Sequence, residues 1–414
     1  MQDDVIERWK AARNPQWQRT LNCGRATLPV DAQQATLVGR AWIEGQGPVL
    51  VRADDQAIYD LSALAPTCSA LLELPDPAAA VRAFHAPRIA SLHDVLANSG
   101  ADAHVDETPW LLAPCDLQAI KASGVTFVAS MLERVIEEQA RGNPALAESV
   151  REEVVAVIGD DLSRVRPGSP EAARLKEVLV ERHLWSQYLE VGIGPDAEIF
   201  TKSQPMSAVG GGAEIGIHPA SAWNNPEPEI VLVVNSRGET VGATLGNDVN
   251  LRDFEGRSAL LLGKSKDNNA SCAIGPFIRL FDAGFGLDEV RQAELALEIL
   301  GPEGFQLTGS SNLSLISRDP LELVGHAIGP HHQYPDGFVL FLGTMFAPTQ
   351  DRHGPGLGFT HRIGDVVAIS TPTLGTLVNR VNTSDRIEPW RYGVGALMRD
   401  LARRGLLRDS GNPQ

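Results

Sequence analysis

The chain has 414 residues, 43% of them hydrophobic and 21% charged, with a formal net charge of −16. That acidity argues against attraction to nucleic acid or anionic lipid, and no apolar run approaches the roughly 20 residues needed to span a bilayer. A small-molecule partner fits best, and it can be an anion if a cation or a local Lys/Arg cluster reverses the field in one pocket.

The opening MQDDVIERWK is charged and amphipathic and lacks the apolar stretch of a secretory signal. Cys23, Cys68, Cys115 and Cys272 form no CxxC pair and no metal-type spacing. Both features predict a cytoplasmic protein with reduced thiols. Residues 36–65 alternate apolar and polar around EGQGP and predict a hairpin or short meander. The following TCSALLELPDPAAAVRAF predicts helix interrupted at PDP. Residues 1–118 are read as a small N-terminal α+β domain, 119–398 as the catalytic domain and 399–414 as a C-terminal tail. Val128, Met131, Leu132, Val135 and Ile136 fall at helical spacing, and Gly142-Asn143-Pro144 supplies a stop. Ser169, ahead of Pro170, caps a second predicted helix that ends at Gly192. From Glu198 onward short Val/Ile/Leu runs recur between glycines, which predicts a mainly β unit.

In EPEIVLVVN, Glu227 and Glu229 share one face of an extended strand, with Cα atoms about 6.6 Å apart. Pro228 between them cannot donate to a ladder, so the pair belongs at the start or edge of that strand. Two carboxylates at about 5 Å repel by roughly 3 kcal/mol at an effective dielectric of 20. A hard divalent cation is one compensating partner. A turn at NSRG would return the strand ETVGATLG beside the glutamates and bring Asp248 in as a third carboxylate. Taken alone, these residues also allow a solvated strand edge.

Taken together, EPEIVLVVN, GNDVNLRDFEG and KSKDNNASCAIGP resemble the fumarylacetoacetate hydrolase superfamily. Its pattern is ExE, a strand, NDxSxRD, and then a Lys ahead of GP, and the likeness covers roughly residues 120 to 390. The resemblance implies an α+β chain with a small N-terminal α/β domain and a C-terminal mixed β-sandwich roll, assembled as a homodimer. The site would lie at one end of the roll, with loops near 124–142 and 331–361 as a lid. Glu227, Glu229 and Asp248 would bind Mg²⁺ or Mn²⁺. Lys266 matches the active-site lysine, with Lys264 as competitor, and Arg252 matches the Arg of NDxSxRD. Lys202 lies in IFTKSQP, near the substrate, with Ser203 where Pro is usual. Thr371 matches the Thr of a late GTP turn, and Thr126 of GVTF is a further substrate contact.

One departure selects the chemistry. Hydrolytic members carry a stretch resembling GLNYxxHxxE, and GVTFVASMLE here has Ser130 in place of the His while Glu133 remains. A serine hydroxyl has no ionisation near neutrality and cannot act for imidazole as a general base. The variant resembles the dehydratases of 2-keto-3-deoxy sugar acids, pentonates above all, which yield 2,5-dioxopentanoate. The residues fit that chemistry: a Mg²⁺ ion would stabilise an enolate as a Lewis acid, Lys266 would serve as the C3 base if burial near the metal lowers its pKa, and Glu133, protonated or acting through a water, would assist loss of the C4 hydroxyl. The alternatives are a C–C hydrolase of acylpyruvate or fumarylacetoacetate type, with His331, His332, His353 or His361 as base, and a non-catalytic sugar-acid binding protein.

Overall fold

A computed structural model describes residues 27–100, 104–124, 126–141, 143, 146, 165–181, 185–346, 348–354 and 358–407. β1 (Leu37–Ile43), β2 (Gly47–Ala53) and β3 (Ala57–Asp60) form the predicted meander, with Gly45 and Gly47 at positive φ in the EGQG turn. α1 (Cys68–Leu72) and α2 (Pro77–Ala83) flank the PDP interruption. Asp76 caps α2 through Ala79 N, and Pro77 stands where no amide hydrogen is needed. β4 (Arg88–Ser91), α3 (Leu92–Asn98), β5 (Trp110–Leu112) and β6 (Ala119–Ser123) follow.

α4 (Val128–Gln139) is the helix that the apolar spacing predicts, and it buries Met131, Val135 and Ile136 against Tyr188, Leu189 and Ile193. Between Ser169 and Gly192 the structure corrects the expectation of one helix. Among the described residues there are two, α5 (Pro170–Glu181) and α6 (Gln187–Ile193), because Ser186 is extended and its hydroxyl accepts from Tyr188 N as a new cap.

The remaining strands are β7 (Ile199–Ser203), β8 (Glu214–Ile217), β9 (Asn224–Asn225), β10 (Pro228–Val234), β11 (Thr240–Asp248), β12 (Asn250–Leu251), β13 (Cys272–Leu280), β14 (Glu294–Leu300), β15 (Gln306–Asn312), β16 (Phe338–Phe341), β17 (Val366–Thr371) and β18 (Gly375–Thr383). α7 (Arg252–Glu255) and α8 (Leu262–Lys266) connect β12 to β13, α9 (Leu287–Arg291) precedes β14, α10 (Pro320–Ala327) precedes β16, and α11 (Val394–Arg403) follows β18.

One eleven-stranded sheet runs β4-β3-β2-β1-β13-β11-β10-β16-β6-β7 with β5 beside β1, and a five-stranded sheet runs β15-β14-β17-β18-β8. β10 is buried along its whole length because both of its faces are covered. Ile230, Leu232 and Val234 meet Leu297, Ile369 and Leu377 of the second sheet, whereas Val231 and Val233 join Leu61, Leu71 and Val81 on the other side. That second cluster also holds Val38, Leu50, Ile274 and Phe341, and β1 pairs antiparallel with β13 through Leu37↔Arg279 and Val38↔Ile278. The strands on either side of residue 118 therefore share one sheet and one core.

No helix among the described residues is long and apolar enough to cross a membrane. Cys68, Cys115 and Cys272 are buried free thiols, and burial pushes Cys115 up to about 12, which leaves it unreactive. Cys23 lies outside the described residues.

Candidate active site

The strand register builds the site. Asn235–Gly238 turns the chain, and β10 and β11 pair antiparallel with Pro228↔Asn247 and Glu229↔Gly246 in register. Asp248 N donates to Glu227 O at 3.0 Å, and Glu227 N donates to Asn247 Oδ1 at 3.1 Å, which locks the end of the ladder. Glu227, Glu229 and Asp248 are all buried, and one carboxylate oxygen from each lies within 4.8 Å of the others.

Cations surround this trio. Lys266 Nζ, at the end of α8, lies 2.5 Å from Glu227 Oε2 and 3.1 Å from Asp248 Oδ2. Lys202 Nζ stands 2.9 Å from Asp248 Oδ1 and also donates to the carbonyls of Val249 and Lys266. Arg134 Nη2 bonds Glu227 Oε1, and its Nη1 lies 3.5 Å from Glu255 Oε2. Glu229 Oε2 accepts from Gly343 N at 2.7 Å.

Burial, and then the charge of Asp248, push the Glu229 carboxyl well above its ordinary range. Burial pushes Asp248 up as well, but Lys202 and Lys266 outweigh it and hold the group below its usual value. Glu198, just ahead of β7, is pushed up to about 7 by burial and then by the charge of Glu255. With Glu198 protonated, the carboxylates Glu227, Glu229, Asp248 and Glu255 still outnumber the cations Arg134, Lys202 and Lys266. That negative balance favours a cation, and the all-oxygen donor set of Glu227, Glu229 and Asp248 suits Mg²⁺ or Mn²⁺. The residues fit such an ion.

Beside the trio lies a cavity of about 20 Å³, room for one ion or water, bordered by Ser123, Arg134, Tyr188, Glu198, Glu255 and Thr344. Tyr188, Glu198 and Glu255 also border an outer cavity of about 350 Å³ whose further lining is largely apolar, including Val191, Ile199 and Leu262.

Residues 182–382 match the family described as Fumarylacetoacetate (FAA) hydrolase C-terminal. Over this stretch the chain is similar to the fumarylacetoacetate hydrolase family. Among curated relatives, the chain is 32% identical over 190 residues to the 2-dehydro-3-deoxy-D-arabinonate dehydratase of Saccharolobus solfataricus, covering 46% of this chain and 60% of that protein. It is 32% identical over 203 residues to the probable 2-keto-3-deoxyxylonate dehydratase of Haloferax volcanii, covering 49% of this chain and 66% of that one. The matched stretch thus spans less than two thirds of either relative. Among solved structures, 2-keto-3-deoxy-D-arabinonate dehydratase complexed with magnesium and 2,5-dioxopentanoate matches with a TM-score of 0.53 at 20% identity, covering 84% of this chain and 99% of that one. The fold of the fumarylacetoacetate hydrolase family is therefore shared.

Within this family fold, the structure brings Glu227, Glu229, Asp248 and Lys266 together, while Lys264 lies over the Phe254 ring instead. The Lys202 ammonium, fully buried, clamps Asp248 to two backbone carbonyls and borders neither of these two cavities. Arg252 is buried, donating from Nε to Asn225 Oδ1 at 2.7 Å and lying over the Trp223 ring. Thr126 Oγ1 donates to Leu342 O at 2.6 Å and supports the Gly343 turn. Thr371 Oγ1 accepts from Thr373 N and Leu374 N in the β17–β18 turn. Glu133 is half-buried on α4 and borders neither cavity. Ser130 lies in α4, with its side chain outside the described residues.

Arg134, Glu198, Glu255 and Tyr188 are absent from the sequence reading, although two of them leave a signal. Glu198, Phe200 and Lys202 alternate on one strand face. Arg134 is a charge set among the buried Met131, Val135 and Ile136.

Proposed function

We propose that this chain is a Mg²⁺-dependent hydro-lyase that dehydrates a 2-keto-3-deoxy pentonate to 2,5-dioxopentanoate. The observation that carries the reading is the buried Glu227–Glu229–Asp248 trio with Lys266 against it. The names of the two curated relatives support the substrate class.

Bound by the trio, a divalent ion supplies Lewis acidity toward the carboxylate and 2-oxo oxygens of such an acid. Lys266 Nζ, once its ammonium proton has passed to solvent, removes the C3 proton, and the electrons of that C–H bond form the C3–C4 double bond as the C4–O bond breaks. Glu198 borders both cavities and holds a proton near neutrality, so it is the acid that gives the departing hydroxyl its proton. Water leaves, and proton shifts among C3, C4 and C5 convert the terminal alcohol to the aldehyde. The C4–C5 end lies toward the outer cavity. Lys202 holds Asp248, and Thr126 holds the turn whose Gly343 N–H binds Glu229.

Hydrolysis is the weaker reading. Among the described residues no histidine borders either cavity. His331, His332 and His353 are exposed, and His361 is buried with its Nδ1 3.0 Å from Asp365 Oδ2.

The test is a panel of 2-keto-3-deoxy acids and acylpyruvates incubated with Mg²⁺ or with EDTA and followed by mass spectrometry. Loss of one water from a pentonate, abolished by EDTA, is expected; release of pyruvate from an acylpyruvate with no dehydration would overturn the proposal. Glu198→Gln is expected to lower kcat by about 10²-fold or more, the usual range for losing a general acid. Glu133→Gln with the larger loss would return the acid role to Glu133. The reading also includes a homodimer and a cytoplasmic location, checked by light scattering and by cell fractionation.

A further inference from the structure

Glu227 has both oxygens engaged by the chain's own cations: Oε1 by Arg134 and Oε2 by Lys266 at 2.5 Å. Asp248 is shared between Lys202 at 2.9 Å and Lys266 at 3.1 Å. Lys202 is tied to two backbone carbonyls, and Lys266 lies between two of the three carboxylates. Arg134 differs from both. Its guanidinium borders the inner cavity, and a second carboxylate, Glu255 Oε2, already lies 3.5 Å from its other terminal nitrogen. A guanidinium presents several donors in a fixed planar fork, so it can turn from one carboxylate to the other without losing its ion pair.

Resting on the metal reading above, we propose that Arg134 and the divalent ion compete for Glu227, and that Glu255 is the dock onto which Arg134 moves when the ion binds. Two cations on one buried carboxylate repel strongly at effective dielectrics near 20. Moving to Glu255 relieves that repulsion, keeps Glu255 neutralised and leaves the guanidinium at the cavity border, where an anionic substrate enters. Arg134 is thus a positioning residue that links metal occupancy to the wall of the site. The linkage passes along α4, whose Met131 packs where a Cβ on Gly192 of α6 would stand 2.4 Å away. α6 carries Tyr188, which borders both cavities.

The test is titration of the full chain with Mn²⁺ by calorimetry and by electron paramagnetic resonance, without substrate, for the wild type, Arg134→Met and Glu255→Gln. Arg134→Met removes the competitor and is expected to bind Mn²⁺ about tenfold more tightly, with a lower Tm in EDTA. Glu255→Gln removes the alternative dock and is expected to bind Mn²⁺ several-fold more weakly while its Tm in EDTA changes little. A purely structural role would weaken metal binding in both variants, and that result overturns the proposal. So does unchanged Mn²⁺ affinity in Arg134→Met. If that variant does not fold, Glu255→Gln decides alone, and unchanged or tighter binding there overturns the proposal. Wild-type protein that binds no Mn²⁺ would sink the metal reading itself, and the exchange with it.

Discussion

At the scale of single residues, the site depends on groups held in protonation states that they would not keep in water. Glu198 is the clearest case. Its carboxyl rises from an ordinary 4.5 to about 7 in the folded chain. Below pH 4.5 both folded and unfolded chains carry its proton, and it contributes no difference. Between 4.5 and 7 only the folded chain keeps the proton, so stability falls as pH rises, and the full penalty, about 3 kcal/mol, is present above 7. In EDTA, Glu198→Gln is therefore expected to stabilise the protein by about that amount at pH 8 and hardly at all at pH 4.5, read by urea denaturation at both values. Gly343 makes a second, independent case. It has φ +95, its N–H holds Glu229, and a Cβ there would stand 2.1 Å from Thr126 Oγ1 and 2.7 Å from Gly124 O. Gly343→Ala is expected to cost about 1–3 kcal/mol and to weaken Mn²⁺ binding, because a non-glycine residue strains this turn and tips the Glu229 anchor. Unchanged metal affinity would mean that the Gly343 anchor is dispensable.

At the scale of elements, the β10–β11 hairpin and the α4–α6 pair meet at the carboxylates, and each was legible to a different degree. The hairpin follows from local chemistry: a turn at Asn235–Gly238 and alternation fix the register, and a one-residue slip would send Glu229 to the opposite face. The break between α5 and α6 is less visible in the sequence. Ser186 caps α6 through Tyr188 N, and its Oγ also bonds Glu138 Oε2 of α4, so one hydroxyl both ends an extended turn and ties two helices together. Ser186→Ala is expected to cost about 1 kcal/mol. Because Tyr188 follows two residues later, the same change is expected to raise KM for the proposed sugar acid more than it lowers kcat. Steady-state kinetics on a variant that still unfolds cooperatively checks this.

At the scale of the whole molecule, the N-terminal segment is built into the sheet that carries the carboxylate trio. β1 pairs with β13, and Val38, Leu50, Leu61 and Leu71 share a core with Val231, Ile274 and Phe341. A fragment beginning at residue 119 would expose that core face and an unpaired edge along β13. It is expected to be insoluble or to lack the cooperative unfolding transition expected of the full chain. A soluble, cooperatively folded fragment would establish an independent catalytic domain.

The chain by itself determined what is local or repeated along its length. Alternation and turn residues specify the meander, the β10–β11 hairpin and the helix at 128–139, and the ordered motifs around Glu227, Glu229, Asp248 and Lys266 carry the family resemblance and the carboxylate trio. Tertiary structure alone decided which other groups face that trio. Arg134 arrives from a helix about a hundred residues upstream in sequence, Glu198 from the start of an edge strand, and Glu255 from a short helix after β12. The same packing turned Lys202 inward as a clamp and left Glu133 outside the cavities. The physical reason is that periodicity encodes the face on which a residue sits, whereas the partner across a cavity depends on how distant elements pack, and no short stretch of sequence carries that.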